Sequence, residues 1–330
     1  MLPVTCYYLT MAKVYVTRAI LEEGIQLLKK EGFQVDVNPE DKVLSKDELK
    51  KAIVGADGVL CLLTDKIDGE VLDAAGPSLK IVANYAVGYD NIDIAAAKQR
   101  NVMVTNTPGV LTEAVAEHAF ALLITAAKHI AEADRFTREG KYKQWNPKGF
   151  LGPELRGKTL GILGLGRIGS RVAEIGNKGF GMKITYYDVK QNPEFEQQLG
   201  ATFGSVEEVL KNSDFVSVHV PLLPETKHLI GRDQLAQMRK EAILINTSRG
   251  PVVDEQALLD ALKNGQIAGA GLDVYENEPA LTPGLADLPN VVLTPHTASA
   301  TYEARNAMSR LAAENIIAAL KGQEPPNLAK

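Results

Sequence analysis

The chain has 330 residues, 45% hydrophobic and 23% charged, with a formal net charge of −5. This is the make-up of a globular chain of about two domains, with no basic face for nucleic acid. The longest apolar stretch, 114–130, carries Glu117, His118, Lys128 and His129. That reads as a buried helix and argues against a membrane partner.

Residues 1–10 read as an extension outside the fold, and a clean strand begins with 14–17. A helix over 19–30 follows, stopped by Gly32, then a strand over 33–37. Ser45 and Glu48 form a capping box that opens the next helix. Apolar runs at 58–63 and 79–84 read as further strands. A long helix starts near Thr112. The stretch 140–152, rich in Gly and Pro, reads as a loop or domain crossing. Strand and helix patterns then restart, with strands at 158–163, 183–187, 214–220, 242–246, 268–273 and 291–294. Ser205 and Glu208 make a second capping box, 254–264 is an amphipathic helix ended by Gly265, and 302–320 is helical. Strands alternating with helices predict an α/β protein with two doubly wound parallel-sheet domains. The two cysteines, Cys6 and Cys61, form no disulfide framework, and a reducing cytoplasm is the expected location. The N-terminus has neither the basic start nor the apolar core of a secretory signal.

The sharpest motif is G-x-G-x-x-G at Gly164, Gly166 and Gly169. In that pattern the first glycine permits a tight turn, the second lets backbone approach a pyrophosphate, and the third allows close helix–strand contact. The following helix presents free N–H groups and a partial positive charge to phosphates. Asp188 ends the next strand, nineteen residues after Gly169. A carboxylate there accepts from a ribose 2′-hydroxyl and repels a 2′-phosphate, so NAD(H) is expected over NADP. Three more segments place polar residues just beyond strands, around Arg249, around Asp273 and Glu278, and at His296. Ligands of open α/β sheets bind outside those carboxyl ends.

The motifs at 161–169, 216–222, 245–254, 269–279 and 293–296 resemble those of the D-isomer-specific 2-hydroxyacid dehydrogenases. The stretch 83–93 is similar to the branch of glyoxylate and hydroxypyruvate reductases, and the resemblance runs from about Met11 to the end. It implies a flavodoxin-like substrate domain from 1–108 and 297–330, and a Rossmann NAD-binding domain from 109–296. It implies catalysis by Arg249, Glu278 and His296 on a small 2-oxo or 2-hydroxy acid. The chemistry suits that set. An arginine fork grips a carboxylate and a carbonyl oxygen. A histidinium can protonate a developing alkoxide, and an adjacent carboxylate favours its charged form.

By the same resemblance, Thr112, Arg167, Ile168, Val220, Pro221, Thr226, Thr247 and Asp273 line the cofactor together with Gly164, Gly166, Gly169, Asp188, Arg249 and His296. The backbone at Val87 and Gly88 binds the substrate carboxylate, and Leu63 packs against the substrate. Trp145 reaches into the partner subunit's active site of a homodimer. His118 and His129 on the long helix and His219 in a strand are expected to be structural, and no metal is expected. The alternatives are a phosphite dehydrogenase, against which the absence of lysine at Val87 speaks, and an NAD-sensing corepressor-like binding protein.

Overall fold

The computed structural model describes residues 11–329; the expected N-terminal extension and Cys6 lie outside the described residues. The chain forms two compact units. One comprises the residues up to Leu111 with those from Thr301 onward, and the other is Thr112–Ala300.

In the first unit the strands are β1 (Lys13–Val16), β2 (Gln34–Val37), β3 (Gly58–Cys61), β4 (Ile81–Asn84) and β5 (Met103–Thr105). Between them run the helices α1 (Glu22–Lys30), α2 (Lys46–Ala52), α3 (Gly69–Ala75) and α4 (Ile94–Gln99). The strands are parallel in the order β2-β1-β3-β4-β5, the flavodoxin-like winding. β3 and β4 are buried along their whole length, so they read as unbroken apolar runs rather than alternating ones. The capping box of Ser45 and Glu48 forms with both its bonds and starts α2. Asp68 and Asp93 cap α3 and α4 in the same local way. The C-terminal helix Tyr302–Leu320, capped by Thr301, returns to this sheet and buries Met308, Ala312 and Ile316.

The second unit opens with α5 (Thr112–Ala127) and α6 (Ile130–Arg138). The sequence reads as one helix through here, but the two segments bend by 63°. Buried residues end with Ala127, and His129 turns left-handed at φ 53° to start α6. His129 therefore lies at the break and not on the long helix. Among the described residues, no single helix is long and apolar enough to cross a membrane.

The remaining elements are β6 (Thr159–Leu163), α7 (Arg167–Glu174), β7 (Lys183–Tyr187), α8 (Pro193–Leu199), β8 (Thr202–Phe203), α9 (Val206–Asn212), β9 (Phe215–Val218), α10 (Arg232–Gln237), β10 (Ile243–Asn246), α11 (Glu255–Lys263), β11 (Gly269–Leu272) and β12 (Val291–Leu293). Their order is β12-β11-β10-β9-β6-β7-β8, all parallel. This is a Rossmann winding with one more strand, and its order reverses between β6 and β9. One apolar cluster packs α9, α10 and α11 on one face; another packs α5 and α7 on the other. The expected α/β class, with two doubly wound parallel sheets, is what the structure shows.

Candidate active site

The switch point of the second sheet is built by close backbone approach. Gly164 follows β6 at φ +97°, and a Cβ on it would lie 2.7 Å from the Val220 nitrogen. A Cβ on Gly169 would meet the Gly164 carbonyl oxygen at 2.0 Å, so α7 rests directly on the loop. Gly166 is the N-cap of α7 with no side-chain cap, and the space at its Cβ position is open. The first N–H groups of α7 therefore face an open cradle of the kind that takes phosphate. Asp188 stands beyond β7, and its Oδ2 accepts from the Leu165 N–H at 2.6 Å. The carboxylate is thereby fixed at the rim of the cradle.

Val220 is buried, and the Thr226 hydroxyl closes the next turn by donating to the Pro221 carbonyl at 2.6 Å. The Thr247 hydroxyl is buried with no partner among the described residues. An orphaned hydroxyl beyond β10 and an uncapped cradle beyond β6 are the features that a dinucleotide would satisfy, so these residues fit one. Thr112 begins α5, Arg167 is exposed and Ile168 half-buried at the start of α7.

Arg249 lies in the loop after β10. Asn246 shapes that loop, accepting from the Ser248 N–H at 3.0 Å and donating to the Arg249 carbonyl at 3.0 Å. Glu278 lies in the loop after β11, before a cis peptide to Pro279. Its Oε1 accepts from the Tyr275 N–H at 3.0 Å, and its Oε2 lies 2.9 Å from His296 Nδ1. A carboxylate only accepts, so Nδ1 carries the proton in this bond and Nε2 is the ring's other nitrogen. The His296 backbone is left-handed, at φ 54°, and its N–H donates to the Asp273 carbonyl at 2.9 Å.

Burial works to raise the Glu278 carboxyl. The hydrogen bond and charge of His296, the Tyr275 N–H and the Arg249 charge outweigh it and hold the group below the usual carboxylate range. Arg249, Glu278 and His296 thus form one electrostatically coupled set.

Asp273 is fully buried behind this set. Burial would raise its carboxyl, but bonds from His118, Thr294 and the N–H groups of Thr297 and Ala298 keep it low. The sequence left His118 as a structural residue and did not single out Thr294. In the structure, His118 Nε2 lies 3.0 Å from the Thr294 hydroxyl and 3.3 Å from Asp273 Oδ1. A second brace was also missed: buried Glu255 accepts from the Glu276 and Thr282 N–H groups, at 2.9 and 2.6 Å, pinning the loop that carries Glu278. Neither brace has a local signal, because the partners come from separate elements. His219 sits one residue beyond β9 rather than within it, 2.8 Å from the Ser217 hydroxyl. Burial pushes its imidazole down to about 3.

Leu63, Val87 and Gly88 belong to the first unit, in the loops after β3 and β4. Leu63 lines a cavity of about 530 Å³ with Ile67, Asp68 and Asn91. Trp145 is 76% exposed in the segment after α6. Among the described residues, no cluster of His, Cys, Asp or Glu could hold a metal ion.

A Rossmann sheet with a glycine cradle, an acidic residue after the second strand and an Arg–Glu–His set beyond later strands defines a dinucleotide-dependent α/β enzyme. The comparisons give the family. The profile of the D-isomer specific 2-hydroxyacid dehydrogenase NAD binding domain matches residues 120–298. The glyoxylate reductase of Thermococcus kodakarensis is 52% identical over 320 residues, 96% of this chain and 95% of that one. The glyoxylate reductase of Korarchaeum cryptofilum is 52% identical over 319 residues, again 96% and 95%. Among solved structures, the NADPH-dependent glyoxylate/hydroxypyruvate reductase of Sinorhizobium meliloti, in complex with NADP and malonate, has a TM-score of 0.86 at 35% identity, covering 97% of each chain. A Thermus thermophilus protein has a TM-score of 0.90 at 44% identity, covering 96% of this chain and all of that one. The chain belongs to the D-isomer specific 2-hydroxyacid dehydrogenase family. It is an oxidoreductase acting on CH–OH groups, and its second unit is the family's NAD-binding domain.

Proposed function

We propose that this protein is an NAD(H)-dependent glyoxylate reductase that also accepts hydroxypyruvate. The observation that carries the reading is the His296–Glu278 pair, 2.9 Å apart, with the Arg249 charge acting on the same carboxylate. Arg249 grips the carboxylate and carbonyl oxygen of the 2-oxo acid with its planar fork. Bound NADH supplies the hydride. His296 gives the Nε2 proton to the oxygen that becomes the hydroxyl, and Glu278 holds the ring and balances the imidazolium charge. In the oxidative direction the neutral imidazole takes that proton back.

Gly164, Gly166, Arg167, Ile168 and Gly169 hold the pyrophosphate, and Thr112, Val220, Pro221, Thr226, Thr247 and Asp273 line the rest of the cofactor. Asp188 receives the ribose hydroxyls, and its fixed carboxylate favours NADH over NADPH. In the first unit, Val87 and Gly88 bind the substrate carboxylate through their backbone and Leu63 packs against its carbon. The protein works as a homodimer. α6 buries none of its residues, and Tyr142, Trp145 and Leu151 follow it 60%, 76% and 71% exposed, an apolar stretch that suits cover by a second copy.

The test is a panel of glyoxylate, hydroxypyruvate, pyruvate and phosphite with purified protein and each cofactor. Reduction of glyoxylate with NADH preferred over NADPH is expected. Turnover of phosphite alone, or of nothing, would overturn the reading.

A further inference from the structure

The loop after β4 shows a pattern in its carbonyls. The Ala86 carbonyl accepts from the Thr107 N–H at 2.9 Å. The Val87 carbonyl accepts from Asn106 Nδ2 at 2.7 Å. The Gly88 carbonyl accepts from Asn84 Nδ2 at 2.8 Å. Three successive carbonyls are thus held by donors from β4 and from the segment after β5.

A trans peptide is planar, and its N–H points opposite to its C=O. Holding the Ala86 carbonyl therefore aims the Val87 N–H away from the clamp, and holding the Val87 carbonyl does the same for the Gly88 N–H. Among the described residues neither N–H meets an acceptor, although both residues are half-buried. Two adjacent unpaired N–H groups aimed one way make a concavity for an anion.

The clamp is itself braced. Asn84 is fully buried and also donates to Asn91 Oδ1 at 3.0 Å. Asn91 in turn donates to the carbonyls of Leu62 and Asp65, at 3.1 and 3.0 Å. The carboxyl ends of the neighbouring strands β3 and β4 are therefore joined through two amide side chains.

We propose that Asn106 is a positioning residue that sets substrate affinity by clamping the Val87 carbonyl, which, with the Ala86 carbonyl held by the Thr107 N–H, presents the Val87 and Gly88 N–H groups to the carboxylate of the 2-oxo acid. The proposal rests on the reductase reading for the identity of the anion. Asn106 does not touch substrate; it acts through the peptide plane it holds.

Asn106→Ala isolates the effect. The backbone bonds of Asn106, from its N–H to the Asn327 carbonyl and to its carbonyl from Asn315, do not use the side chain that is removed. Misaiming one donor to a charged carboxylate weakens its binding roughly tenfold or more. KM for glyoxylate should rise by that factor, while kcat and the KM for NADH change little and the melting temperature holds. Oxamate, a carboxylate with no reducible ketone, should lose affinity for the NADH-loaded protein by the same factor in calorimetry. Asn106→Leu, which keeps the volume but loses the donor, should act in the same direction. An unchanged KM and oxamate affinity in Asn106→Ala would overturn the proposal, as would a fall in kcat with oxamate binding intact. Absence of 2-oxo acid reduction by the unsubstituted protein would count against the reductase reading instead, and oxamate binding would still decide the clamp.

Discussion

Replacing Glu278 by Gln probes the catalytic pair without removing its scaffold. The glutamine carbonyl can keep the bond from the Tyr275 N–H, now 3.0 Å. Its amide NH2 then faces His296 Nδ1, where the carboxylate lies at 2.9 Å. A donor opposed to Nδ1 forces that nitrogen to accept, so the imidazolium loses its counter-charge and meets a donor instead. A hydrogen bond between charged groups contributes about 1.5–3 kcal/mol. The side chains of His296 and Glu278 are 26% and 31% exposed, which moves the pair to the lower half of that range, by solvent screening. A loss of about 2 kcal/mol corresponds to roughly thirtyfold in kcat/KM for glyoxylate reduction. NADH affinity, measured by fluorescence titration, should be unchanged. Activity within twofold of the original, or a matching fall in NADH affinity, would refute the reasoning.

Two further outcomes follow from the second unit. Gly169→Ala places a methyl 2.0 Å from the Gly164 carbonyl oxygen, so α7 must move off the cradle; overpacking of this kind costs about 1–3 kcal/mol, and both NADH affinity and melting temperature should fall, whereas wild-type affinity would contradict the packing argument. His219, held neutral by burial at about 3, should make the fold acid-sensitive. As pH falls from about 6.5 towards 3 the unfolded chain takes up a proton that the folded one refuses, a loss of about 2 kcal/mol at pH 5, less for a partly exposed ring. Denaturant titrations at pH 7 and pH 5 should show that loss shrink in His219→Asn; an equal loss in both proteins would refute it.

What could be read from the sequence was whatever leaves a local trace. The capping boxes at Ser45 and Ser205 lie within four residues, and both formed. Fully buried parallel strands such as β10 and β11 appear as apolar runs, so the polar segments just beyond them, around Arg249 and Asp273, stood out as candidates. The edge strand β8 has two exposed residues and no such trace. The break at His129 was hidden because apolar residues resume at once with Ile130 and Ala131. The braces on the candidate site were hidden for another reason: His118 meets Asp273 and Thr294 only after α5 has packed on the sheet, and the amides of Asn84 and Asn106 reach their carbonyls only once the loops are placed.

The most direct test of the central claim is NADH consumption with glyoxylate by the unsubstituted protein and by His296→Asn, with NADH titrations of both. Turnover in the first that falls by roughly 10²–10⁴ in the second, at equal NADH affinity, is the expected result for loss of a general acid. Turnover undiminished in His296→Asn, or absent from the unsubstituted protein, would contradict the account.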